Sequence, residues 1–234
     1  VTSYAIAPAL PAGLSLNPST GIITGTPTTA SAAQNYTVTA ANVAGNTTVS
    51  LSITVLSAPT GLTYSQNPAT YGVGTAIAPN TPTVTGTVTS YAIAPALPAG
   101  LNFNTSTGVI TGTPTTASAA TNYTVTAQNV AGNTTAILNI TVSDAPTGLT
   151  YSQNPATYGV GTAIAQNTPT VTGTVQSYSV TPALPAGLSL STSTGIITGT
   201  PTTVSAAANY TVTATNVAGS TSATLNITVS AAPT

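Results

Sequence analysis

The sequence contains no Lys, Arg, His, Cys, Met or Trp, and Asp144 is the single acidic residue among 234. Without His or Lys there is no side chain suited to general acid–base catalysis near neutral pH, and one carboxylate cannot form a catalytic pair. Metal sites need His, Cys or several carboxylates, and nucleic-acid binding needs Lys or Arg to neutralise phosphates. We therefore expect a protein that is not an enzyme, holds no cofactor and binds no nucleic acid.

Other absences narrow the class of the chain further. No run approaches the roughly 20 consecutive apolar residues of a membrane-spanning helix, so we expect no membrane insertion within this segment. The lack of Cys excludes disulfides but does not indicate a compartment, because a secreted domain with a sufficient core needs none. Hydrophobic residues make up 41% of the chain and the net charge is −1. This balance favours small packed cores over disorder.

An internal repeat organises the whole sequence. The segment VTSYAIAPALPAGL of residues 1–14 recurs at residues 88–101, and a variant of it returns at residues 175–188. The offset is 87 residues both times, and residues 1–87 match residues 88–174 at 75 of 87 positions. This period is too long for a solenoid repeat of about 20–45 residues and fits one small β-sandwich per repeat.

The phase of the repeat predicts the domain boundaries. The segment Ala-Pro-Thr-Gly-Leu that begins at Ala58 and Ala145 is the natural start of a unit, because Pro ends a strand ladder and Gly permits a turn. In that frame residues 1–57 are an incomplete unit without its first strands, residues 58–144 and 145–231 are complete units, and residues 232–234 begin a further unit. We therefore expect a segment of a longer array.

Alternating apolar and polar residues predict strands within each unit. Residues 123–142 predict a hairpin with one buried face, because apolar side chains alternate with Thr and Asn on both sides of a Gly-containing turn. A second hairpin is expected over residues 101–112, and further strands around residues 69–77 and 83–92. No segment has helical periodicity, so the predicted fold class is all-β, with about seven short strands per unit.

Three segments of each unit resemble a known family. They are PALPAGL, STGIITGTPT and NYTVTAANVAG, at residues 8–14, 19–28 and 35–45, and both later repeats carry them with small changes. In this combination they resemble the Putative Ig domain family, which is related to the cadherin-like Ig sandwiches of bacterial and archaeal surface proteins. The resemblance implies tandem Ig-like (cadherin-like) β-sandwiches on an extracellular or cell-surface protein used for adhesion, display or spacing.

The sequence departs from cadherin-type relatives in its lack of acidic clusters. Those relatives stiffen their domain junctions with Ca²⁺ held by Asp and Glu. Here only Asp144 lies near a junction, and its counterparts in the other repeats are Ser57 and Ala231. Because Ca²⁺ favours roughly six to eight oxygen ligands with several carboxylates, we expect no metal site. Short linkers and Pro are expected to stiffen the junctions instead.

Tyrosines are the main candidates for contact surfaces. One Tyr begins the penultimate strand of each unit, and its alternation with core Val and Ala predicts core packing with a tethered hydroxyl. These residues are Tyr36, Tyr123 and Tyr210. Four others lie near a domain end, in the most invariant stretch of the repeat, and are predicted to contact a neighbouring domain or chain. They are Tyr64, Tyr71, Tyr151 and Tyr158. Sugar binding is their alternative role, although carbohydrate platforms usually add Trp and charged partners.

Three further motifs have both a functional and a structural interpretation. Residues 71–74, Tyr-Gly-Val-Gly, suggest a phosphate loop, but no helix follows and no Lys is present, so a glycine bend in an edge strand is favoured. Hydroxyl rows such as Thr124 and Thr126 suit ice or a crystalline polysaccharide, or fill a solvated sheet face. Among eight Asn-x-Ser/Thr sequons, Asn139 and Asn226 occupy outward strand positions and are candidates for glycosylation.

These observations favour a structural function. The chain is expected to be a segment of a long extracellular array, acting as a self-associating fibre or as a cell-surface stalk or adhesin spacer. Copies of the chain itself are the expected partners, because a net charge near zero leaves little repulsion between them. Strands from another copy, or from chain preceding Val1, are expected to complete residues 1–57. The alternative is an adhesin module that binds ice or polysaccharide, including cell-surface glycans, through Thr and Tyr surfaces.

Overall fold

A computed structural model describes residues 1–231, so the further unit predicted to begin at residues 232–234 lies outside the described residues. The described residues form 21 strands and no helix, which confirms the predicted all-β class. None of them therefore belongs to a helix long and apolar enough to cross a membrane.

The strands are numbered in chain order and divide among unit 1 (residues 1–57), unit 2 (residues 58–144) and unit 3 (residues 145–231). Unit 1 contains β1 (Ser3–Ala7), β2 (Leu14–Leu16), β3 (Ile23–Gly25), β4 (Ser31–Asn42) and β5 (Gly45–Val55). Unit 2 contains β6 (Thr60–Tyr64), β7 (Ala69–Gly72), β8 (Pro82–Thr85), β9 (Ser90–Ala94), β10 (Leu101–Phe103), β11 (Ile110–Gly112), β12 (Ser118–Asn129) and β13 (Gly132–Ser143). Unit 3 contains β14 (Thr147–Tyr151), β15 (Ala156–Gly159), β16 (Pro169–Thr172), β17 (Ser177–Thr181), β18 (Leu188–Leu190), β19 (Ile197–Gly199), β20 (Ser205–Asn216) and β21 (Gly219–Ser230).

Unit 2 is a sandwich of two sheets around one core. The first sheet has the order β7-β13-β12-β9, in which β7 runs parallel to β13 and the other neighbours are antiparallel. The second consists of the antiparallel pairs β6–β8 and β10–β11, joined by a bridge between Asn80 and Ile110. Apolar side chains from both sheets meet between them, and Ile110, Leu138 and Ile140 are fully buried there. Unit 3 repeats this arrangement strand for strand.

Each complete unit has eight strands, because its first third is more divided than the sequence predicts. Strand β6 was not expected, and the strand predicted at residues 69–77 ends at Gly72. The strand predicted at residues 83–92 is two strands, β8 and β9, in different sheets. Gly86, at φ +96°, follows β8 and turns the chain from one sheet to the other.

A buried Asn fixes the point where the chain crosses between the sheets. Asn80 is fully buried, its Oδ1 accepts from the Gln66 amide at 3.0 Å, and its Nδ2 donates to the Gln66 carbonyl at 2.9 Å. The Ser65 hydroxyl donates to the same Oδ1, also at 3.0 Å. These bonds satisfy the backbone of the segment between β6 and β7, which has left one sheet before entering the other. Asn167 makes the same set of bonds in unit 3.

The predicted hairpin of β12 and β13 is confirmed, with a tight turn at its tip. The Asn129 Oδ1 accepts from the amides of Ala131 at 2.8 Å and Gly132 at 3.2 Å. Gly132 has φ +149°, a conformation that side chains with a Cβ rarely adopt. The sequence Asn-Val-Ala-Gly therefore specifies the turn locally. It occurs three times, as Asn42–Gly45, Asn129–Gly132 and Asn216–Gly219, and is called the NVAG turn below.

Unit 1 is an open version of the same sandwich. Its sheets are β1-β4-β5 and β2-β3, and among the described residues no strand lies on the outer edge of β5. Leu51 of β5 is therefore 38% exposed, whereas the equivalent Leu138 of unit 2 is 0% exposed. Tyr36, on the central strand β4 of this sheet, remains buried.

Candidate functional site

The contact between units 2 and 3 is the candidate site that this fold offers. Gly72 ends β7 beside Ser143, the last residue of β13, at the end of unit 2 from which the chain leaves. A methyl group on Gly72 would overlap the Cα of Ala218 and lie 2.6 Å from the carbonyl oxygen of Val217. The NVAG turn of unit 3 thus packs directly on Gly72. The φ of Gly72 is not positive, so it is the close approach of unit 3 that requires glycine here.

Hydrogen bonds from the same turn secure the linker. The Asn216 Nδ2 donates to the carbonyl oxygens of Asp144 at 2.7 Å and Thr174 at 2.9 Å. Asn216 is 6% exposed, so these bonds are protected from water. Its equivalent, Asn129, donates in the same way to the carbonyl oxygen of Ser57 at 2.7 Å. Each complete unit therefore fastens the chain segment that enters it.

An open cavity of about 370 Å³ lies beside the linker, lined among others by Ser118, Asp144 and Gly173. The Ser118 Oγ is buried without a hydrogen-bond partner among the described residues. Asp144 is exposed, and no second acidic residue exists anywhere in the sequence to join it. The expectation that no Ca²⁺ binds here rests on that composition and stays a prediction.

The junction between units 1 and 2 lacks the contact that unit 3 makes with Gly72. Val130, in the NVAG turn of unit 2, is 89% exposed, and Val43 in unit 1 is 103% exposed. Val217, the equivalent in unit 3, is partly buried. Unit 1 has no counterpart of β7 among its strands, so nothing receives the turn of unit 2. The sequence analysis did not predict that Gly72 and the NVAG turn form a contact between units. The available signal was that both segments recur in the sequence with the 87-residue period.

The four tyrosines predicted to form a contact surface lie in the interiors of their own units, which corrects that prediction. Tyr71, Tyr151 and Tyr158 are 5%, 9% and 7% exposed. The Tyr64 hydroxyl donates to the carbonyl oxygen of Gly108 at 2.6 Å, and Tyr151 repeats this bond in unit 3. The physical reason is that the crossing between sheets points these rings into the core. The contact with the next unit is made by Gly72, one residue after Tyr71.

Burial also changes the acidity of these hydroxyls. Desolvation raises the pKa of Tyr64 above its ordinary value, and the neighbouring Tyr91 raises it further. Desolvation likewise raises the pKa of Tyr71, partly offset by the hydrogen bond that its hydroxyl accepts from Asn80 at 3.1 Å. In unit 3, desolvation and the neighbouring Tyr178 raise the pKa of Tyr151. Desolvation also raises the pKa of Tyr158, and the hydrogen bond from Asn167 offsets part of that rise. These phenols therefore keep their protons to a higher pH than exposed tyrosines do.

The tyrosines at the penultimate strands are core residues, as predicted. Tyr36, Tyr123 and Tyr210 are 2%, 4% and 7% exposed. The predicted hydroxyl tether is present at Tyr36, whose hydroxyl donates to Gln34 Oε1 at 3.3 Å. Unit 2 has Thr at the position of Gln34 and unit 3 has Ala, and neither side chain can replace the amide.

The candidate glycosylation sites lie in mid-strand and are already hydrogen bonded. The Asn139 Nδ2 donates to Asn122 Oδ1 at 2.7 Å, and the Asn226 Nδ2 donates to Asn209 Oδ1 at 2.8 Å. Both residues are half-buried. A glycan at either nitrogen would displace the partner Asn, so modification would have to precede folding. Glycosylation stays a prediction.

The remaining motifs have structural roles in this fold. The Val73 amide donates to the Ser143 carbonyl oxygen and the Gly74 amide to that of Pro114, both at 2.9 Å. These donors are not free for a phosphate, and β7 is an edge strand, so the predicted glycine bend is confirmed. Thr124 is exposed and Thr126 partly so, and they lie beside Ile137 and Thr135 of β13. This outer face carries the predicted hydroxyl row.

A family model described as Putative Ig domain matches residues 1–58, 53–143 and 139–230. The three consecutive matches confirm the resemblance inferred from the motifs, and they agree with the tandem sandwiches described above. No curated protein matches the chain in sequence.

Solved structures of tandem Ig domains are similar to the chain at low sequence identity. The I-band fragment I67-I69 from titin is 17% identical, with a TM-score of 0.45, covering 97% of this chain and 87% of that one. Drosophila OTK extracellular domains 3-5 are 17% identical, with a TM-score of 0.42, covering 94% of this chain and 78% of that one. Sidekick-1 immunoglobulin domains 1-4 are 14% identical, with a TM-score of 0.41, covering 97% of this chain and 67% of that one.

Proposed function

The chain belongs to the Putative Ig domain family, and we propose that it is a structural segment of a long extracellular array, working as a self-associating fibre or a cell-surface stalk or adhesin spacer. The observation that carries this proposal is the direct contact of Gly72 with the NVAG turn of the next unit. Such a contact limits the orientations that consecutive units can adopt. Repetition of the unit then sets the reach of the array.

The strand order suits each complete unit to bear load. The chain enters unit 2 just before β6, and β7 follows at the edge of the first sheet, parallel to β13, from which the chain leaves. Tension between the two ends of the unit therefore acts along β7 and β13 in opposite directions. The backbone hydrogen bonds between them must then break together rather than one after another. This geometry supports the proposed mechanical role.

The near absence of charge supports the self-associating form of the proposal. With a net charge of −1 and no basic residue, copies of the chain hardly repel one another. Contacts between copies would have to come from apolar side chains and hydrogen bonds. Exposed apolar residues are available at Val43, Val49 and Ile22.

Single-molecule stretching of the chain tests the mechanical role. We expect two discrete unfolding events, each lengthening the chain by about 300 Å, because roughly 87 residues extend by about 3.4 Å each. Val73→Pro removes the amide that donates to Ser143 and should lower the force of one event only. Unit 3 in the same molecule, and Val73→Ala, which keeps the amide, are the controls. Smooth extension at low force without discrete events would refute a load-bearing role.

The second candidate function is binding of polysaccharide or ice through the Thr face of the first sheet. The observation in its favour is the outward row of Thr124 and Thr126, which extends to Thr135 on the neighbouring strand. Retention of the chain on insoluble glycans, or inhibition of ice recrystallisation, would support this function if Thr124→Lys abolished it. A pure spacer should be negative in both assays.

The proposal includes no catalytic role. Asp144 and the tyrosines are the only side chains of the sequence with an ordinary proton-transfer function, and Asp144 stands alone on the surface. The buried tyrosines are held in their neutral form by desolvation. A catalytic site would require groups from outside this sequence.

A further inference from the structure

The side chain of Asn67 lies where the chain crosses from the second sheet of unit 2 to the first, between β6 and β7. Its Nδ2 donates to the carbonyl oxygen of Ile137 at 2.8 Å, and its Oδ1 accepts from the amide of Asn139 at 3.0 Å. Both partners belong to β13, the strand with which β7 pairs. This pair of hydrogen bonds is called the Asn67 rung below.

The Asn67 rung continues the parallel ladder of β7 and β13 in register. In that ladder Ala69 lies opposite Ile140 and Tyr71 opposite Val142. The same offset places position 67 opposite Leu138. In a parallel ladder, a bonded residue donates to the residue before its opposite and accepts from the residue after it. The Asn67 carboxamide bonds to the residues on either side of Leu138 in this way, so a side chain takes the place of a backbone residue.

The side chain takes this place because the backbone is held elsewhere. The amide and the carbonyl oxygen of Gln66 are both bonded to the side chain of the buried Asn80, at the crossing between the sheets. Pro68 has no amide hydrogen to donate. The Asn67 carboxamide therefore reaches β13 before the backbone of β7 does.

Unit 3 contains the same arrangement. The Asn154 Nδ2 donates to the carbonyl oxygen of Thr224 at 2.8 Å, and its Oδ1 accepts from the amide of Asn226 at 3.0 Å. Thr224 stands where unit 2 has Ile137, so the bonds do not depend on the side chain of the acceptor residue. Their recurrence with a different neighbour indicates that the ladder itself specifies the carboxamide.

We propose that Asn67 and Asn154 bear force in their units, each carboxamide forming the first rung of the ladder that resists tension. This inference rests on the proposed mechanical function. When β7 and β13 are pulled in opposite directions, the rungs at the two ends of the ladder carry the largest share of the force. Tension from the chain before β6 enters the first sheet at position 67. The other end of the ladder is closed by the Val73 amide, which donates to Ser143.

Stretching the whole chain at constant force tests this role. Asn67→Asp should shorten one of the two unfolding lifetimes about tenfold at pH 7, because a carboxylate cannot donate to the Ile137 carbonyl oxygen. The other lifetime, that of unit 3 in the same molecule, should not change. Asn67→Asp combined with Asn154→Asp should shorten both. The matched control is Asn133→Asp, which places the same charge at an exposed position of β13 outside this ladder.

Acid should restore the rung in Asn67→Asp. Below about pH 4 the introduced carboxyl group is protonated, so that its hydroxyl donates to Ile137 and its carbonyl oxygen accepts from Asn139. Because these bonds favour the protonated form, folding raises the pKa of this group, and the stabilisation present at low pH is lost as the pH rises through that pKa. The unmodified chain should have nearly constant lifetimes from about pH 3 to 7, since it has no His and Asp144 is its single acidic residue.

The outcomes separate the Asn67 rung from the proposed function. Equal lifetimes for Asn67→Asp and the unmodified chain at pH 7 would overturn the rung and leave the mechanical role standing. Lower stability of Asn67→Asp in urea with unchanged lifetimes under force would also overturn it, because the carboxamide would then stabilise the unit without bearing force. A lifetime that stays short in acid would do the same. Smooth extension of the unmodified chain would overturn both the rung and the mechanical role.

Hydrogen exchange checks the rung without force. The Asn139 amide should exchange slowly in the unmodified chain and much faster in Asn67→Ala, because the Asn67 carboxamide is the acceptor of that amide. Asn67 is exposed, so the substitution leaves the core of unit 2 intact. Exchange at the buried Ile140 should therefore stay slow in both chains and serves as the control for folding. Equal exchange of the Asn139 amide in the two chains would overturn the rung.

Discussion

Unit 1 and the second part of unit 2 have nearly the same sequence and different burial. Residues 1–57 match residues 88–144 at 46 of 57 positions. Leu51 is nevertheless 38% exposed where Leu138 is completely buried, and Ile22 is 57% exposed where its equivalent, Val109, is partly buried. The difference is due to β6, β7 and β8, which cover the core of unit 2 and have no counterpart in unit 1. The sequence of the last five strands of a unit thus does not by itself determine which of their side chains are buried.

The same three strands also determine what happens at the domain ends. Because β7 brings Gly72 to the end of unit 2, the turn of unit 3 has a surface to pack on. Unit 1 offers no such surface, and Val130 stays 89% exposed. One segment of about 30 residues therefore completes the core of its own unit and provides the contact for the next.

The largest expected difference between the units comes from a matched pair of core substitutions. Leu138→Ala should destabilise unit 2 by about 3 kcal/mol, because it removes a fully buried side chain and leaves a cavity. Leu51→Ala should cost unit 1 about 1 kcal/mol or less, since water already reaches that side chain. Hydrogen exchange of the amides in β12–β13 and β4–β5 measures the two costs separately. Equal costs would mean that unit 1 is closed in solution.

Supplying the missing strands should remove the difference. A peptide with the sequence of residues 58–87 is expected to bind unit 1 along β5, with its Tyr71 opposite Val55, because Tyr71 lies opposite the equivalent Val142 in unit 2. At a concentration 100 times its Kd the peptide would stabilise unit 1 by about 2.7 kcal/mol.

Slower hydrogen exchange in β5 on adding this peptide is the measurement. The control peptide carries Leu62→Asp and Ala69→Asp, which place charges at two buried positions. Unchanged exchange in β5 at saturating peptide would contradict strand donation as the way in which unit 1 is completed.

Alkaline pH should lower the stability of the complete units more than that of unit 1, and this difference is expected to be smaller than the two described above. Burial raises the pKa of Tyr64 and Tyr71 in unit 2, and of Tyr151 and Tyr158 in unit 3. The folded units therefore keep these protons to a higher pH than the unfolded chain, so this stabilisation is complete below about pH 10 and is lost as the pH rises further. Unit 1 has no counterpart of these residues. We expect melting temperatures that are nearly constant from about pH 5 to 9, with those of units 2 and 3 falling above about pH 10. A fall between pH 7 and 9 would reveal a titrating group outside this sequence.

The smallest expected effects are those of calcium and salt. EGTA should leave the melting temperature of every unit and the arrangement of units 2 and 3 unchanged, because Asp144 is the sole carboxylate side chain. Sodium chloride up to about 1 M, which screens charges beyond about 3 Å, should not dissociate assembled copies. Calorimetry and sedimentation measure the two effects. A shift of several degrees with EGTA would indicate a site built from Asp144 and backbone carbonyls.

Local sequence patterns predicted much of the fold in each unit. The β12–β13 hairpin followed from period-two alternation on both sides of a Gly-containing turn, and the structure adds that Asn129 caps this turn and that Gly132 has a positive φ. The strands in residues 58–87 were predicted poorly. These strands are four or five residues long and change sheets twice, and the pairing partner of β7, strand β13, lies about 70 residues later in the chain.

The candidate site was predicted less well than the fold. The tyrosines drew attention because they are aromatic and repeated, but the crossing at Asn80 turns them inward, where their hydroxyls find partners in their own unit. Gly72 attracted no attention as a contact, since a glycine has no side chain to suggest one. Its role depends on a turn 145 residues later in the sequence, that is, from position 72 to position 217.

The sequence by itself determined the all-β class, the 87-residue repeat, the family and the exclusion of charge-based chemistry, because these depend on composition, period and local turn residues. Only the tertiary structure decided which apolar residues are buried and which surface meets the next unit. Burial requires strands from distant segments to cover both edges of a sheet, and Leu51 and Leu138 occupy equivalent positions of the repeat without the same cover. The contact at Gly72 likewise exists only after two separately folded units have come together, so no local pattern could specify it.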